Sequence, residues 1–167
     1  LAAQGIDAAL AFPDHGPGAR LGARAAERGL EARTVDGEGW TGAIAAAGAH
    51  VVHVHAGIGW EGHGLTAAAA ASGAAVVRTE HLPWLLTEPA QIAAYAEAAR
   101  DVDAVIAVSR AAGHGWRRAL ATFAERRRLV AAVPNGIAMP ARTAAGSAGR
   151  NATTPTLLCV GRFTPQK

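Results

Sequence analysis

Short apolar runs alternate along this chain with helix-forming stretches, and the brief connections between them leave few ways to fold. Asp103-Ala104-Val105-Ile106-Ala107-Val108-Ser109 is the clearest run, continuously apolar between polar ends. Such a strand is covered on both faces, the setting of a parallel sheet with helices packed against it. Ile6 to Phe12, Leu30 to Val35, Val51 to His55, Ala75 to Val77 and Leu129 to Val133 are further strands by the same reading. Between them the sequence predicts helices over about Ala19 to Arg28, Thr41 to Ala47 and Leu65 to Ser72. Another is N-capped by Thr87, with Pro89 in its first turn, and reaches Arg100; a fifth is N-capped by Ser109 and ends near Arg128. The β-α-β-α order makes the fold class α/β, a doubly wound parallel sheet.

Composition removes several function classes. Of the 167 residues half are hydrophobic and 17% charged, so the chain has apolar surface enough for a core and is not disordered. The net charge of +3 comes from scattered arginines, and the only tight basic group, Arg126-Arg127-Arg128, falls at a helix end, where the macrodipole accounts for it. A nucleic-acid binder gathers its cations on one face with aromatics between them, so no nucleic-acid partner is expected. The single cysteine, Cys159, can form no internal disulfide, which suits a reducing, cytoplasmic setting. No apolar stretch is long and uninterrupted enough for a membrane span, and no secretory signal opens the chain. The sequon Asn151-Ala152-Thr153 therefore carries no weight.

The domain reading is uneven. Residues 1–137 form one α/β unit, 138–155 are a Gly-, Ser-, Thr- and Arg-rich linker, and Thr156-Leu157-Leu158-Cys159-Val160-Gly161 starts a new strand. Leu1 to Gln4 reads as the end of a helix closed by Gly5, and the chain stops at Lys167 soon after the new strand begins. The expectation is a piece of a longer protein whose first strand lies before Leu1.

Chemistry gathers where strands end. Ala74 to Trp84 passes from buried strand to polar turn, placing Arg78, Thr79, Glu80 and His81 at the C-terminal edge, where open α/β sheets bind ligands. His81 is the group there best able to exchange protons or hydrogen bonds near neutral pH. Two-residue periodicity puts His53 and His55 on one face of their strand, opposite Val52 and Val54. A His-x-His pair can begin a metal site, with His63 as a third imidazole, but no Asp or Glu follows at ligand spacing. His53 reads better as a hydrogen-bonded core residue than as a metal ligand. Gly57, Gly59, Gly62 and Gly64 make a flexible loop that lacks the acidic partner of a dinucleotide fingerprint. Trp84, beside Leu82, Leu85 and Leu86, is expected to pack under a loop rather than line a binding surface.

Four segments in order, Glu80-His81, Val105 to Ser109, Pro134-Asn135-Gly136-Ile137 and Gly161-Arg162-Phe163-Thr164-Pro165-Gln166-Lys167, resemble the pattern of family 4 nucleotide-sugar glycosyltransferases. These are retaining enzymes of the GT-B fold, two Rossmann-like domains facing across a cleft. The resemblance covers nearly the whole chain and implies the N-terminal, acceptor-binding half plus the start of the donor-binding half, inactive by itself. It implies that Arg162 and Lys167 hold the donor diphosphate, where fixed cations stabilise the charge of the departing group. It implies His81 as the catalytic cleft histidine and His55, Gly57, Glu80, Asn135 and Gly136 as residues of the acceptor side or cleft. Ala138 stands where the family commonly has an acidic residue. The implied substrates are a nucleotide sugar and a sugar, glycan or lipid-linked acceptor, with no metal or other cofactor and with peripheral contact at the inner face of a membrane. Alternatives in the same architecture are an epimerase or a phosphorylase; outside it stand a non-catalytic sugar-binding module and a His-x-His metal-dependent hydrolase.

Overall fold

The structure of the protein, a computed structural model, describes residues 5–56, 61–122 and 129–136. The chain divides into two units, 1–135 and 136–167, and only Gly136 of the second lies among the described residues. The first unit is an α/β fold of strictly alternating strands and helices, with every described strand pairing parallel.

Strands β1 (Ala9–Pro13) and β2 (Glu31–Val35) form one two-stranded sheet, crossed by helix α1 (Pro17–Ala26). Helix α1 lies close on this pair because glycines face it. A Cβ on Gly18 would overlap the Pro13 carbonyl oxygen, and one on Gly22 would sit 3.3 Å from Thr34 Cγ2. Helix α2 (Trp40–Ala47) then leads to β3 (Val51–Ala56) and packs against α3 (His63–Ala71).

Strands β3, β4 (Ala75–Glu80), β5 (Ala104–Ala107) and β6 (Leu129–Ala132) form a four-stranded sheet in sequence order. Helices α3, α4 (Pro89–Ala99) and α5 (Arg110–Ala121) connect them. Here α5 also relies on a glycine: a Cβ on Gly113 would come within 3.2 Å of Ala132 Cβ, so the residue that weakens the helix by propensity permits its close approach to the sheet. Ser109 caps α5 as expected, its Oγ accepting from Ala112 N at 3.1 Å. Thr87 does not cap α4; the extended Glu88 precedes it, and Pro89 occupies the first turn, where its missing N–H costs no helical bond.

The two faces of the larger sheet differ. Paired residues of a parallel ladder share a face, so Val54, Arg78 and Val105 lie together, as do Ala56, Glu80 and Ala107. This side is the buried one and carries the core of Val76, Tyr95, Val102, Val105, Trp116 and Leu120 under α3 to α5. The opposite side carries His53, His55, Val77, Thr79 and Ile106, and its ends Val51 and Leu129 are exposed. Asp103 pins β5 to β4 from both directions: its backbone N–H donates to Val76 O at 2.9 Å and its carboxylate accepts from Val76 N at 2.8 Å. No helix among the described residues is long and apolar enough to cross a membrane.

Candidate active site at the end of strands β3 and β4

Strand β4 extends three residues beyond its apolar run. Arg78, Thr79 and Glu80 belong to the ladder and are buried, not members of a polar turn. A strand can hold them because each finds a partner, on alternate faces.

On the helix side, Arg78 and Glu80 are 1% and 0% exposed. Arg78 Nε donates to Glu80 Oε1 at 2.8 Å, Nη2 donates to Glu61 O at 2.8 Å, and Nη1 donates to Thr66 Oγ1 at 3.3 Å. The Tyr95 hydroxyl donates to the same Glu80 Oε1 at 3.3 Å, and its ring lies under the guanidinium at 5.6 Å. Glu80 Oε2 is buried without a hydrogen-bond partner. Burial pushes the Glu80 carboxyl above its ordinary range, against the opposing pull of Arg78, Tyr95 and His63. Expected as a groove residue, Glu80 instead faces the helices and braces the end of the strand from within.

On the other side, three imidazoles form a file. His53 Nε2 lies 2.7 Å from Thr79 Oγ1, and His55 Nδ1 lies 3.2 Å from His81 Nε2. The His53 and His55 rings are 4.4 Å apart with planes inclined at 30°, and His55 and His81 are 5.4 Å apart at 33°. Burial first, and then the neighbouring imidazoles, lower the proton affinity of His53 and His55. The expected hydrogen bond of His53 is present, yet its ring stays exposed rather than entering the core. Among the described residues no three His, Cys, Asp or Glu side chains are placed to hold a metal ion. The imidazoles stack and bond ring to ring instead of converging on a point.

His81 itself is exposed and held by its backbone on both sides. Its N–H donates to Ala56 O at 3.3 Å, and the next carbonyl, Leu82 O, accepts from Trp116 Nε1 at 2.9 Å. Trp84 packs edge-on against Tyr95 and Trp116, with centroids 5.3 and 5.0 Å away, so it belongs to a cluster beneath the loop, as its leucine neighbours suggested. The result is an exposed histidine on a rigid mount at the C-terminal edge of a parallel sheet, the position at which such sheets take ligands.

The sequence signature of Glycosyltransferase Family 4 matches residues 1–139, most of the chain. The chain belongs to glycosyltransferase family 4. No curated protein and no solved structure matches it significantly. The family 4 assignment and the alternating parallel architecture agree, the first unit being a Rossmann-like half of the GT-B type. Of the residues expected in the family 4 site, His55 and His81 are brought into contact. Asn135 and Gly136 lie exposed past the end of β6, where the chain passes between its two units. Gly57, Arg162 and Lys167 lie outside the described residues, as do Cys159, the 138–155 stretch and Arg126 to Arg128.

Sequence reasoning missed three supports of this candidate site: the Arg78–Glu80 pair, its Tyr95 partner and the Trp116 bond to Leu82. A signal for the first existed. Arg78 and Glu80 are two apart in a strand and so share a face, which turns two apparent turn residues into one internal ion pair.

Proposed function

We propose that this chain is the acceptor-binding side of a retaining sugar transferase that moves a glycosyl unit from a nucleotide sugar to a sugar, glycan or lipid-linked acceptor. The observation carrying the reading is the place of His81, mounted with His55 at the C-terminal edge of the sheet, inside the span matched by the family signature.

In the proposed reaction His81 hydrogen-bonds and orients the acceptor hydroxyl near the transferred sugar, without a covalent step. The acceptor oxygen bonds to the anomeric carbon on the face from which the diphosphate leaves. The carbon–oxygen bond to phosphate breaks, and the hydroxyl proton passes to a phosphate oxygen. Negative charge grows on the leaving diphosphate, so Arg162 and Lys167 would contribute most as the bond breaks. The bidentate guanidinium suits two phosphate oxygens at once. With these two cations in that role the reaction needs no metal. The lone Cys159 supports placement in a reducing compartment, with the enzyme acting from the cytoplasm or the inner face of a membrane.

The test is a screen of nucleotide-sugar donors with the full-length protein, the products identified by mass spectrometry and their anomeric configuration by NMR. Transfer with retention, lowered by orders of magnitude in Arg162→Ala and Lys167→Ala, is the expected outcome. Inversion at the anomeric carbon, or near-normal turnover in both variants, would overturn it. Sugar binding with no turnover for any donor would leave a binding module in its place.

A further inference from the structure

His55 Nδ1 and His81 Nε2 face each other across 3.2 Å. Two imidazole nitrogens share a hydrogen bond only when one carries a proton and the other offers a lone pair. Neither ring can then set its tautomer alone. If His55 keeps its proton on Nδ1, His81 accepts at Nε2 and, when neutral, presents Nδ1–H to solvent. If His55 Nδ1 is bare, His81 donates from Nε2 and presents a lone pair at Nδ1. One added proton is tolerated, because an imidazolium still bonds a neutral imidazole. A second would set two N–H groups head to head and break the contact.

The remaining neighbours constrain His55 from its other side. His53 stacks on it at 4.4 Å and is itself tied to Thr79 Oγ1 at 2.7 Å. Besides burial, His81 opposes protonation of His53, and His53 and His81 oppose protonation of His55. The nearest carboxylate along the chain, Glu80, is turned to the opposite face and engaged by Arg78, and His63 stands against the Tyr95 ring on that same helix side. Among the described residues the file holds imidazoles and a hydroxyl, with no acidic side chain acting on His53 or His55 to favour a second charge.

We propose that His55 is a positioning residue for His81: the two share the proton between their facing nitrogens, and this contact dictates which nitrogen, and in which protonation state, His81 presents to the hydroxyl of a bound acceptor. The inference rests on the reading of His81 as the acceptor-side histidine, but it makes a physical statement about the pair that holds without turnover.

Two measurements on the full-length protein separate them. The first is NMR of ring-nitrogen-labelled histidine across the pH range. In the unmodified protein His55 Nδ1 and His81 Nε2 should show opposite protonation, one proton for the two. In His55→Ala, His81 should become a mixture of tautomers, and in His81→Ala the His55 midpoint should rise, because one of the charges opposing its protonation has gone. The second is the pH profile of kcat/KM with the donor found by the screen. His55→Ala should lower kcat/KM by roughly ten- to a hundredfold, mostly in kcat. His55→Asn, which supplies a fixed amide partner, should restore part of the rate while altering the acidic limb of the profile. An unchanged His81 tautomer in His55→Ala, with the fold intact by circular dichroism, overturns the pairing whatever the rates. An NMR signature as expected, with full activity in both His55→Ala and His81→Ala, supports the pairing and removes the transferase role of His81 instead.

Discussion

The two sides of β4 carry polar groups under opposite conditions. Toward the helices, Arg78 and Glu80 are sealed from water and answer each other, with Tyr95, Thr66 and Glu61 O completing the set. Toward the open side, His53, His55 and His81 keep solvent contact and, among the described residues, their rings meet Thr79 and one another. A sealed ion pair is costly to interrupt, because removal of one partner strands a charge in a poorly polarisable interior. A part-solvated imidazole file is cheap to interrupt but sensitive to protons. The strand therefore separates a structural brace from a chemically responsive edge by nothing more than odd and even positions.

The contrast can be broken most forcefully on the helix side. Arg78→Met should destabilise the protein by about 3–5 kcal/mol in urea unfolding, the cost of an uncompensated buried carboxylate. Adding Glu80→Leu to it should recover most of that loss; if the double variant is no better than the single one, the brace is not an ion pair in energetic terms. Trp116→Phe leaves Leu82 O without its donor and trims the cluster beneath the loop. It should cost about 2 kcal/mol and shift the His81 resonances, since the mount of that residue has been loosened. Tyr95→Phe removes one donor from Glu80 Oε1 while Arg78 remains, a loss of about 1 kcal/mol. On the open side, His53→Ala should stay within about 0.5 kcal/mol of the parent at pH 8, and a loss as large as that of Arg78→Met would erase the distinction.

Acidification sharpens the same contrast. His53 and His55 bind protons less readily in the folded chain than at their ordinary value of 6.5, so the unfolded chain binds more protons as the pH falls. Their contribution to stability is complete above that value and is lost progressively below it. Glu80 works in the other sense. Its proton affinity is raised by burial, so its contribution is present below its ordinary value of 4.5 and is lost as the pH rises through the folded value. Urea midpoints between pH 8 and 5 should fall for the parent and fall less for a His53→Ala, His55→Ala double variant. Parallel curves for the two proteins would show that the imidazoles do not carry the acid sensitivity.

The alternation of strands and helices was legible because apolar runs and helical periods are local properties, and the edge that collects polar groups follows from the α/β order. His53 and His55 on one face followed from a period of two. The interior role of Glu80 was not legible in the same way. Arg78-Thr79-Glu80-His81 looks like a solvated turn when residues are weighed singly, and only the cross-strand partners Val54 and Ala56, with Tyr95 arriving from α4, turn it into strand. Thr87, a hydroxyl two residues before Pro89, resembles the cap of α4 in sequence, whereas the backbone enters the helix through Glu88. Gly113, a poor helix former, serves as a point of close contact with the sheet, a relation invisible in one dimension.

The alternation in β4 has an evolutionary corollary. Insertion or loss of a single residue between Val76 and Arg78 would shift the rest of the strand by one position and exchange its two sides. The guanidinium and carboxylate would be turned out to water and the threonine hydroxyl pressed against the helices, so both the brace and the histidine edge would fail together. Length variation in descendants of this chain should therefore collect in the connecting segments and spare these few positions.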